Sequence, residues 1–559
     1  MAAPVTGVEY HYDAHAYRTY FENDFTYLNG FRRNVHRYAD RVAIDDPASN
    51  TVLTYDELGC AVDDLAAGLA AVGVDHGDVV AYQLFNGVEF AALYLATQAA
   101  GAVASPMNFR LAAGETAHIL DANRPSVYVY DLELTEMVTA ALELSTHRPA
   151  VIVAVGDGEP IDGALRFADL PVPASGERLD AGRTVWDETT RLYTSGTTGL
   201  PKGVPLNSMI EVFSAHDVIM HFPLSPEDRT LNMTPWFHRG GLYCAGPNPT
   251  FYLGSSLVPM RTFDADATLD LVESRGLTFL IGAPTNLAML ATAQLERPRD
   301  VSTLRGIVTM GAPLEREAAL HYQKVLNPNI FNGYGSTEGF WNTFLRPTDL
   351  PAMAGTAGRA CIDDDVAVVK VFGDRLADAH ETVARDGTEV GEVIVRSPKG
   401  AGAYYNSPSQ EKAKFHNGWL HIGDLATWDS HEYVTIVGRK DDMLLSGGEN
   451  VHPVQIEEAL NCHPAVLDSL VVGVPDAEWG QKVVAYVRTD DPALTASDLD
   501  EHCRNHPMLS RFKRPRAYRF VDALPVSATG KKLHYKATEQ ARTDIDAGLF
   551  TAATAKDVP

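Results

Sequence analysis

Residues 193–204 read Tyr193-Thr194-Ser195-Gly196-Thr197-Thr198-Gly199-Leu200-Pro201-Lys202-Gly203-Val204. Between Thr194 and Gly199 stand four hydroxyl side chains and two glycines, and Lys202 follows three residues on. This set can wrap a polyphosphate. Glycines let the backbone approach and turn its N–H groups toward an anion, hydroxyls donate further hydrogen bonds, and the lysine adds a point charge. A solvated turn has a similar composition, so the order of residues has to discriminate. The order is not the G-x-x-x-x-G-K-[ST] nucleotide loop, because Lys202 follows Pro201 and precedes Gly203.

The elements that position such a loop belong to a long chain. Its 559 residues exceed what one core supports, which predicts at least two domains. The net charge of −27 argues against nucleic acid or an anionic membrane as the main partner, since the phosphate interaction would be repulsive overall. It leaves room for a local basic pocket. The five cysteines (Cys60, Cys244, Cys361, Cys462 and Cys503) are scattered without C-x-x-C spacing, against a disulfide framework or a zinc site. No basic segment followed by an apolar run opens the chain, and the most apolar stretch, 90–103, is too short to span a bilayer. A cytoplasmic enzyme fits these bounds.

In residues 56–72, Leu58, Val62, Leu65 and Leu69 fall at helical spacing with Gly73 as a stop. Residues 79–85 read as a buried strand and 88–100 as a helix, with further strands at 151–155 and 277–281. This alternation predicts an α/β architecture with helices packed on sheets. After about Gly438 the texture changes. Segments 466–474, 482–487 and 518–520, with a helical stretch at 497–506, make a compact α+β set. The charged run Arg439-Lys440-Asp441-Asp442 sits at the junction and reads by itself as an exposed linker.

Further segments fall in a recognisable order: Pro235-Trp236-Phe237-His238-Arg239-Gly240-Gly241-Leu242, Thr309-Met310-Gly311-Ala312-Pro313-Leu314, Asn332-Gly333-Tyr334-Gly335-Ser336-Thr337-Glu338, Gly418-Trp419-Leu420-His421-Ile422-Gly423-Asp424, Ser446-Gly447-Gly448-Glu449-Asn450, and Leu524-Pro525-Val526-Ser527-Ala528-Thr529-Gly530-Lys531. With the 194–202 segment they resemble the motifs of the adenylate-forming superfamily, which holds acyl-CoA synthetases, luciferases and peptide-synthetase adenylation domains. The resemblance runs from about Tyr38 to Leu533 and is nearest to acyl- or aryl-CoA ligases.

The resemblance implies a large multi-sheet N-terminal domain, 1–438, and a small mobile α+β domain, 439–559, hinged near Asp441. It implies a phosphate and nucleotide site from Thr194, Ser195, Gly196, Thr197, Thr198, Gly199, Lys202, Gly311, Ala312, Pro313, Asn332, Gly333, Tyr334, Gly335, Ser336, Thr337, Asp424, Arg439 and Lys531. Tyr334 would stack on adenine, Thr337 would place a hydroxyl near the α-phosphate, and Asp424 and Arg439 would hold the ribose. Glu338, with Thr194, would hold Mg2+. His238 would lie beside the substrate carboxylate. Lys531 would steady charge in the adenylating transition state, the motif register setting its neighbour Lys532 aside. Ile422 and Met310 depart from the usual threonine and small residue of the family.

The acyl pocket would draw on His238, Arg239, Gly240, Tyr243, Gly282, Met310, Gly333 and Phe340. Gly240 and Gly333 would leave space for a bulky ring, and Arg239 would face solvent or a polar substituent. CoA would meet Gly447, Gly448, Glu449, Trp479, Phe512 and Arg514. The implied reaction joins a carboxylic acid to CoA through an acyl-adenylate, with ATP as co-substrate. Alternatives are adenylation for a carrier protein, a luciferase-like oxygenase, and a descendant keeping one half-reaction, including thioesterification of a supplied acyl-adenylate. Homodimers are common in the family, and nothing in the sequence itself requires one.

Overall fold

The computed structural model describes residues 13–172, 179, 182–195, 201–440, 442–446, 449–476, 480–506, 509, 513–526 and 532–553. The chain forms two compact units, Met1–Phe263 with Pro398–Ser407, and Asp264–Ser397 with Pro408–Pro559.

In the first unit, Thr54 and Glu57 form a reciprocal capping box that starts helix α1, Tyr55–Ala71. Leu58, Val62, Leu65 and Leu69 are on its buried side, as their spacing requires. The strands are β1 (Val79–Gln83), β2 (Val103–Pro106), β3 (Val127–Asp131), β4 (Val151–Val155), β5 (Leu165–Arg166), β6 (Glu188–Ser195) and β7 (Pro201–Asn207), in the sheet order β5-β4-β3-β1-β2-β6-β7. All pairs are parallel except β6 with β7. Helix α2 (Val88–Ala99) connects β1 to β2 and is buried over nearly its whole length. This is why its sequence is apolar without a strong face. Helix α3 (Ser208–His221) follows β7, capped by the Asn207 side chain on the Ile210 N–H.

In the second unit, β8 (Phe279–Gly282), β9 (Gly306–Met310) and β10 (Ile330–Ser336) run parallel, and β11 (Phe340–Leu345) turns back on β10. An antiparallel group follows: β12 (Asp365–Val369), β13 (Gly391–Arg396), β14 (Trp419–Trp428) and β15 (Val434–Arg439). Ile422, where the motif usually has threonine, packs into this group's core.

Beyond residue 443 the chain builds two cores of its own. One joins Val451, Ile456, Val471, Val483, Leu499 and Tyr518. The other joins Leu470, Val484, Tyr486, Ala537 and Ala541. They flank a sheet that holds β16 (Asp468–Asp476), β17 (Gly480–Arg488) and β18 (Ala517–Phe520), under helices α4 (Pro453–Asn461), α5 (Ala496–Asn505) and α6 (His534–Asp546). The architecture is α/β with a compact α+β end. Among the described residues no helix is long and apolar enough to cross a membrane.

Candidate active site

The second unit gathers three expected nucleoside residues. Asp424 on β14 and Arg439 at the end of β15 are register partners. The Arg439 guanidinium donates to Asp424 Oδ1 at 2.7 Å, and the Tyr334 hydroxyl donates to Asp424 Oδ2 at 2.8 Å. Burial, then the Asp424 charge, pushes the Tyr334 phenol well above its ordinary range, so it stays a donor. Each carboxylate oxygen has a second lone-pair direction, and two vicinal hydroxyls can fill both. The Tyr334 ring is tethered to Asp424 through its hydroxyl.

Beyond Tyr334 the strand enters a tight hairpin in which Ser336 pairs with Phe340. A side chain at Gly335 would collide with the Phe340 carbonyl oxygen. Phe340 itself adopts φ +63°, a costly conformation for an aromatic residue. The Ser336 hydroxyl accepts from the Gly339 N–H at 3.1 Å and shapes the turn. Thr337 and Glu338 are half-buried in it. A half-buried carboxylate is a hard oxygen donor, which fits Mg2+.

The parallel registers place Gly282 beside Thr309 and Met310 beside Gly333. Gly282 and Met310 therefore end β8 and β9, Gly311 follows at once, and Gly333 lies opposite Met310 within β10, toward the carboxyl side of the parallel strands, the usual place for ligands. Gly311 has φ +83° with open space where a Cβ would project. Gly333 requires a correction, because the room expected beside it is filled by the Trp341 indole. Ala312 and Pro313 continue the loop after Gly311, and Asn332 is buried on β10. Phe340 is buried too, with its ring 4.9 Å from that of Trp341.

In the first unit the expected phosphate segment is the connection of an antiparallel pair. Thr194 pairs with Lys202 and Ser195 with Pro201. Gly196, Thr197, Thr198, Gly199 and the Ser195 side chain lie outside the described residues. The Lys202 ammonium lies 5.9 Å from the centre of the Tyr404 ring, and Arg191 stacks on Tyr405 at 3.4 Å. These two tyrosines come from residues 398–407, and sequence reading missed them. No local spacing points from residue 202 to residue 404.

His238 precedes a short helical turn, Arg239–Tyr243. Its ring lies 4.3 Å from that of Phe237. Its Nε2 is shut off from solvent and meets no hydrogen-bond partner among the described residues. Burial, helped by the charge of Arg110, pushes the imidazole down to about 4. His238 is therefore neutral at ordinary pH and can offer an N–H but no charge.

Three expected contacts are committed to the fold instead. Arg239 is 3% exposed and donates to the Lys399 carbonyl at 2.6 Å, so it neither faces solvent nor awaits a substituent. Tyr243 has no exposure and donates to Glu211 at 3.0 Å. Glu211 also receives Tyr94, Gln98 and Thr190, which fills the acceptor sites of a buried carboxylate. Arg514 is 4% exposed and donates to Asp500 at 2.7 Å, so it is a packing contact and not an exposed fork for CoA. Gly240 remains half-exposed. Asp441, Gly447, Gly448, Trp479, Phe512, Lys531 and the Glu449 side chain lie outside the described residues.

A family model described as "AMP-binding enzyme" matches residues 31–405, and one described as "AMP-binding enzyme C-terminal domain" matches 455–531. The chain is 33% identical over 487 residues to an indoleacetate–CoA ligase of Aromatoleum aromaticum, covering 86% of this chain and 91% of that one. ATP-bound MatB from Rhodopseudomonas palustris superposes with a TM-score of 0.82 at 27% identity, over 92% of this chain and 99% of that one. The anthranilate CoA ligase AuaEII, in complex with anthranoyl-AMP, superposes with a TM-score of 0.83 at 25% identity, over 94% and 98%. With both family models matched in order and the relatives aligned over most of their length, the chain belongs to the AMP-binding enzymes, the adenylate-forming family that includes the acyl- and aryl-CoA ligases.

Proposed function

We propose that this protein is an acid–thiol ligase. A carboxylate oxygen attacks the α-phosphorus of ATP, the bond to the β-phosphate oxygen breaks, and pyrophosphate leaves. The CoA thiolate then attacks the acyl carbon, its bond to the adenylate oxygen breaks, and AMP leaves. The observation that supports this most is Asp424, held by Arg439 on one oxygen and Tyr334 on the other. A fixed, doubly anchored carboxylate beside an aromatic ring suits a ribose diol and its base.

In this reading Glu338 and Thr194 hold Mg2+, which screens the charge of the phosphates. Neutral His238 meets the acid as a hydrogen-bond donor. Lys531 acts in the first step, and the segment with Gly447 and Gly448 acts in the second. The boundary falls between residues 438 and 439 with Asp441 as hinge. The separate cores formed after residue 443 support it. Indoleacetate and anthranilate, named for two of the similar proteins, place aromatic acids first among substrates to try.

The test is ATP–pyrophosphate exchange with indole-3-acetate, anthranilate and straight-chain acids, followed by mass detection of acyl-CoA. AMP with acyl-CoA is expected. ADP in place of AMP would overturn the reading. Thioester formed only from supplied acyl-adenylate would replace it with a single half-reaction.

A further inference from the structure

Lys532, one residue beyond the expected adenylating lysine, sits in a built charge cluster. Its ammonium lies 2.9 Å from Asp468 Oδ1 and 3.2 Å from Glu457 Oε2. Glu457 is 4% exposed and belongs to α4. Its other oxygen accepts from His534 Nε2 at 2.7 Å and from the Val471 N–H at 2.8 Å. His534 opens α6, and its Nδ1 lies 3.8 Å from Asp442. The backbone is closed at the same place. Val526 and Lys532 form an antiparallel bridge, and the Leu533 N–H donates to the Pro525 carbonyl at 2.9 Å.

One buried carboxylate thus joins α4, β16, α6 and the point where the chain leaves residue 531. Two carboxylates on one ammonium hold it charged against its burial. A lysine here is unsuited to reach a substrate, because its head group is already taken. It is well suited to fix a backbone.

We propose that Lys532, clamped between Glu457 and Asp468, is a positioning residue for the adenylation step, which fixes the backbone from which Lys531 works. This rests on the reading above that Lys531 acts in adenylation. The clamp serves the first half-reaction only, because thioester formation from acyl-adenylate does not call on Lys531.

The test measures both half-reactions separately, with the best acid of the panel for pyrophosphate exchange and its synthetic acyl-adenylate plus CoA for thioester formation. Lys532→Met should lower exchange by about tenfold or more, in the range of a misplaced catalytic group, with thioester formation changed less than about twofold. Lys532→Arg, which keeps the charge, should recover most of the exchange. Asp468→Asn, at a half-exposed contact, keeps the fold and should show a milder loss with the same bias, which covers the case in which Lys532→Met fails to fold.

Equal loss in both half-reactions, or no loss in either, overturns the proposal. Lys531→Ala in the same assays separates the two ideas. If it leaves exchange intact, the reading of Lys531 fails. If it abolishes exchange while Lys532→Met and Asp468→Asn do not touch it, the clamp alone fails.

Discussion

The Tyr334 hydroxyl donates a 2.8 Å hydrogen bond to Oδ2 of Asp424, a residue 90 positions further along the chain. The bond joins the end of a parallel strand to the middle of an antiparallel one, and it presets the geometry of both side chains. Asp424→Asn keeps the shape but removes the charge that holds Arg439 and orients Tyr334. The KM for ATP should rise about 10- to 100-fold, the worth of a charge-assisted hydrogen bond. Tyr334→Phe should cost less, since the ring remains. Steady-state kinetics with varied ATP check both, and an unchanged KM in Asp424→Asn would remove this carboxylate from the nucleotide site.

Glu338→Gln exchanges an anionic ligand for a neutral one of the same shape. The concentration of Mg2+ giving half-maximal rate should rise about tenfold or more, since divalent affinity follows ligand charge. A magnesium titration of pyrophosphate exchange reads this directly. Superimposable titrations of variant and parent would assign the ion to other residues.

Lys531→Ala should lower acyl-adenylate formation by about two orders of magnitude, as loss of one strong transition-state contact does. Conversion of supplied acyl-adenylate and CoA to thioester should continue. A bulky residue at Gly448 should give the opposite profile. Single-turnover assays of each step distinguish the two variants.

Two histidines should bend the stability curve in opposite directions. His238 sits at about 4, below its ordinary 6.5. The unfolded chain therefore takes up the proton first as pH falls, and stability drops between about pH 6.5 and 4. His534 is raised. Burial opposes the proton, and the bond to Glu457 outweighs it, with Asp442 adding to the pull. Its contribution is complete below pH 6.5 and fades as pH rises through the elevated value. Urea midpoints from pH 5 to 8 should show a smaller acid-side loss in His238→Asn and a smaller alkaline-side loss in His534→Asn. Parallel curves for all three proteins would count against both assignments.

Lys399→Met should destabilise the protein by about 3–5 kcal/mol, the usual cost of stripping one partner from a buried ion pair. Its ammonium is 3.0 Å from Asp217, with the two side chains only 1% and 2% exposed. Thermal or chemical denaturation measures the loss. A shift below about 1 kcal/mol would mean the pair is solvated.

Much of this was legible in the sequence where the interactions are local. Leu58, Val62, Leu65 and Leu69 gave away α1, because helical periodicity and burial are two views of one geometry. Asp424 and Arg439 kept their motif spacing, and the strand register makes them partners. The misread residues depend on distant chain. Arg239 was assigned to the pocket because its neighbours are His238 and Gly240, yet its partner is a carbonyl 160 residues away. Tyr243 answers to Glu211, and Gly333 makes room for Trp341 rather than for a ligand. Arg514 was expected to meet CoA, and a buried aspartate 14 residues back holds it instead. Periodicity reports which face is buried, and it does not report which distant group waits there.

The stitching of residues 398–407 into the first unit has a consequence for anyone who would divide the gene. A fragment ending at Phe263 would keep Asp217 and Arg239 while discarding Lys399, their shared counterpart. It would also strip Tyr405 from Arg191. Expressed alone, that fragment should be insoluble. The same stretch with residues 398–407 spliced on through a flexible linker should recover solubility, because the first compact unit is discontinuous in the reading frame.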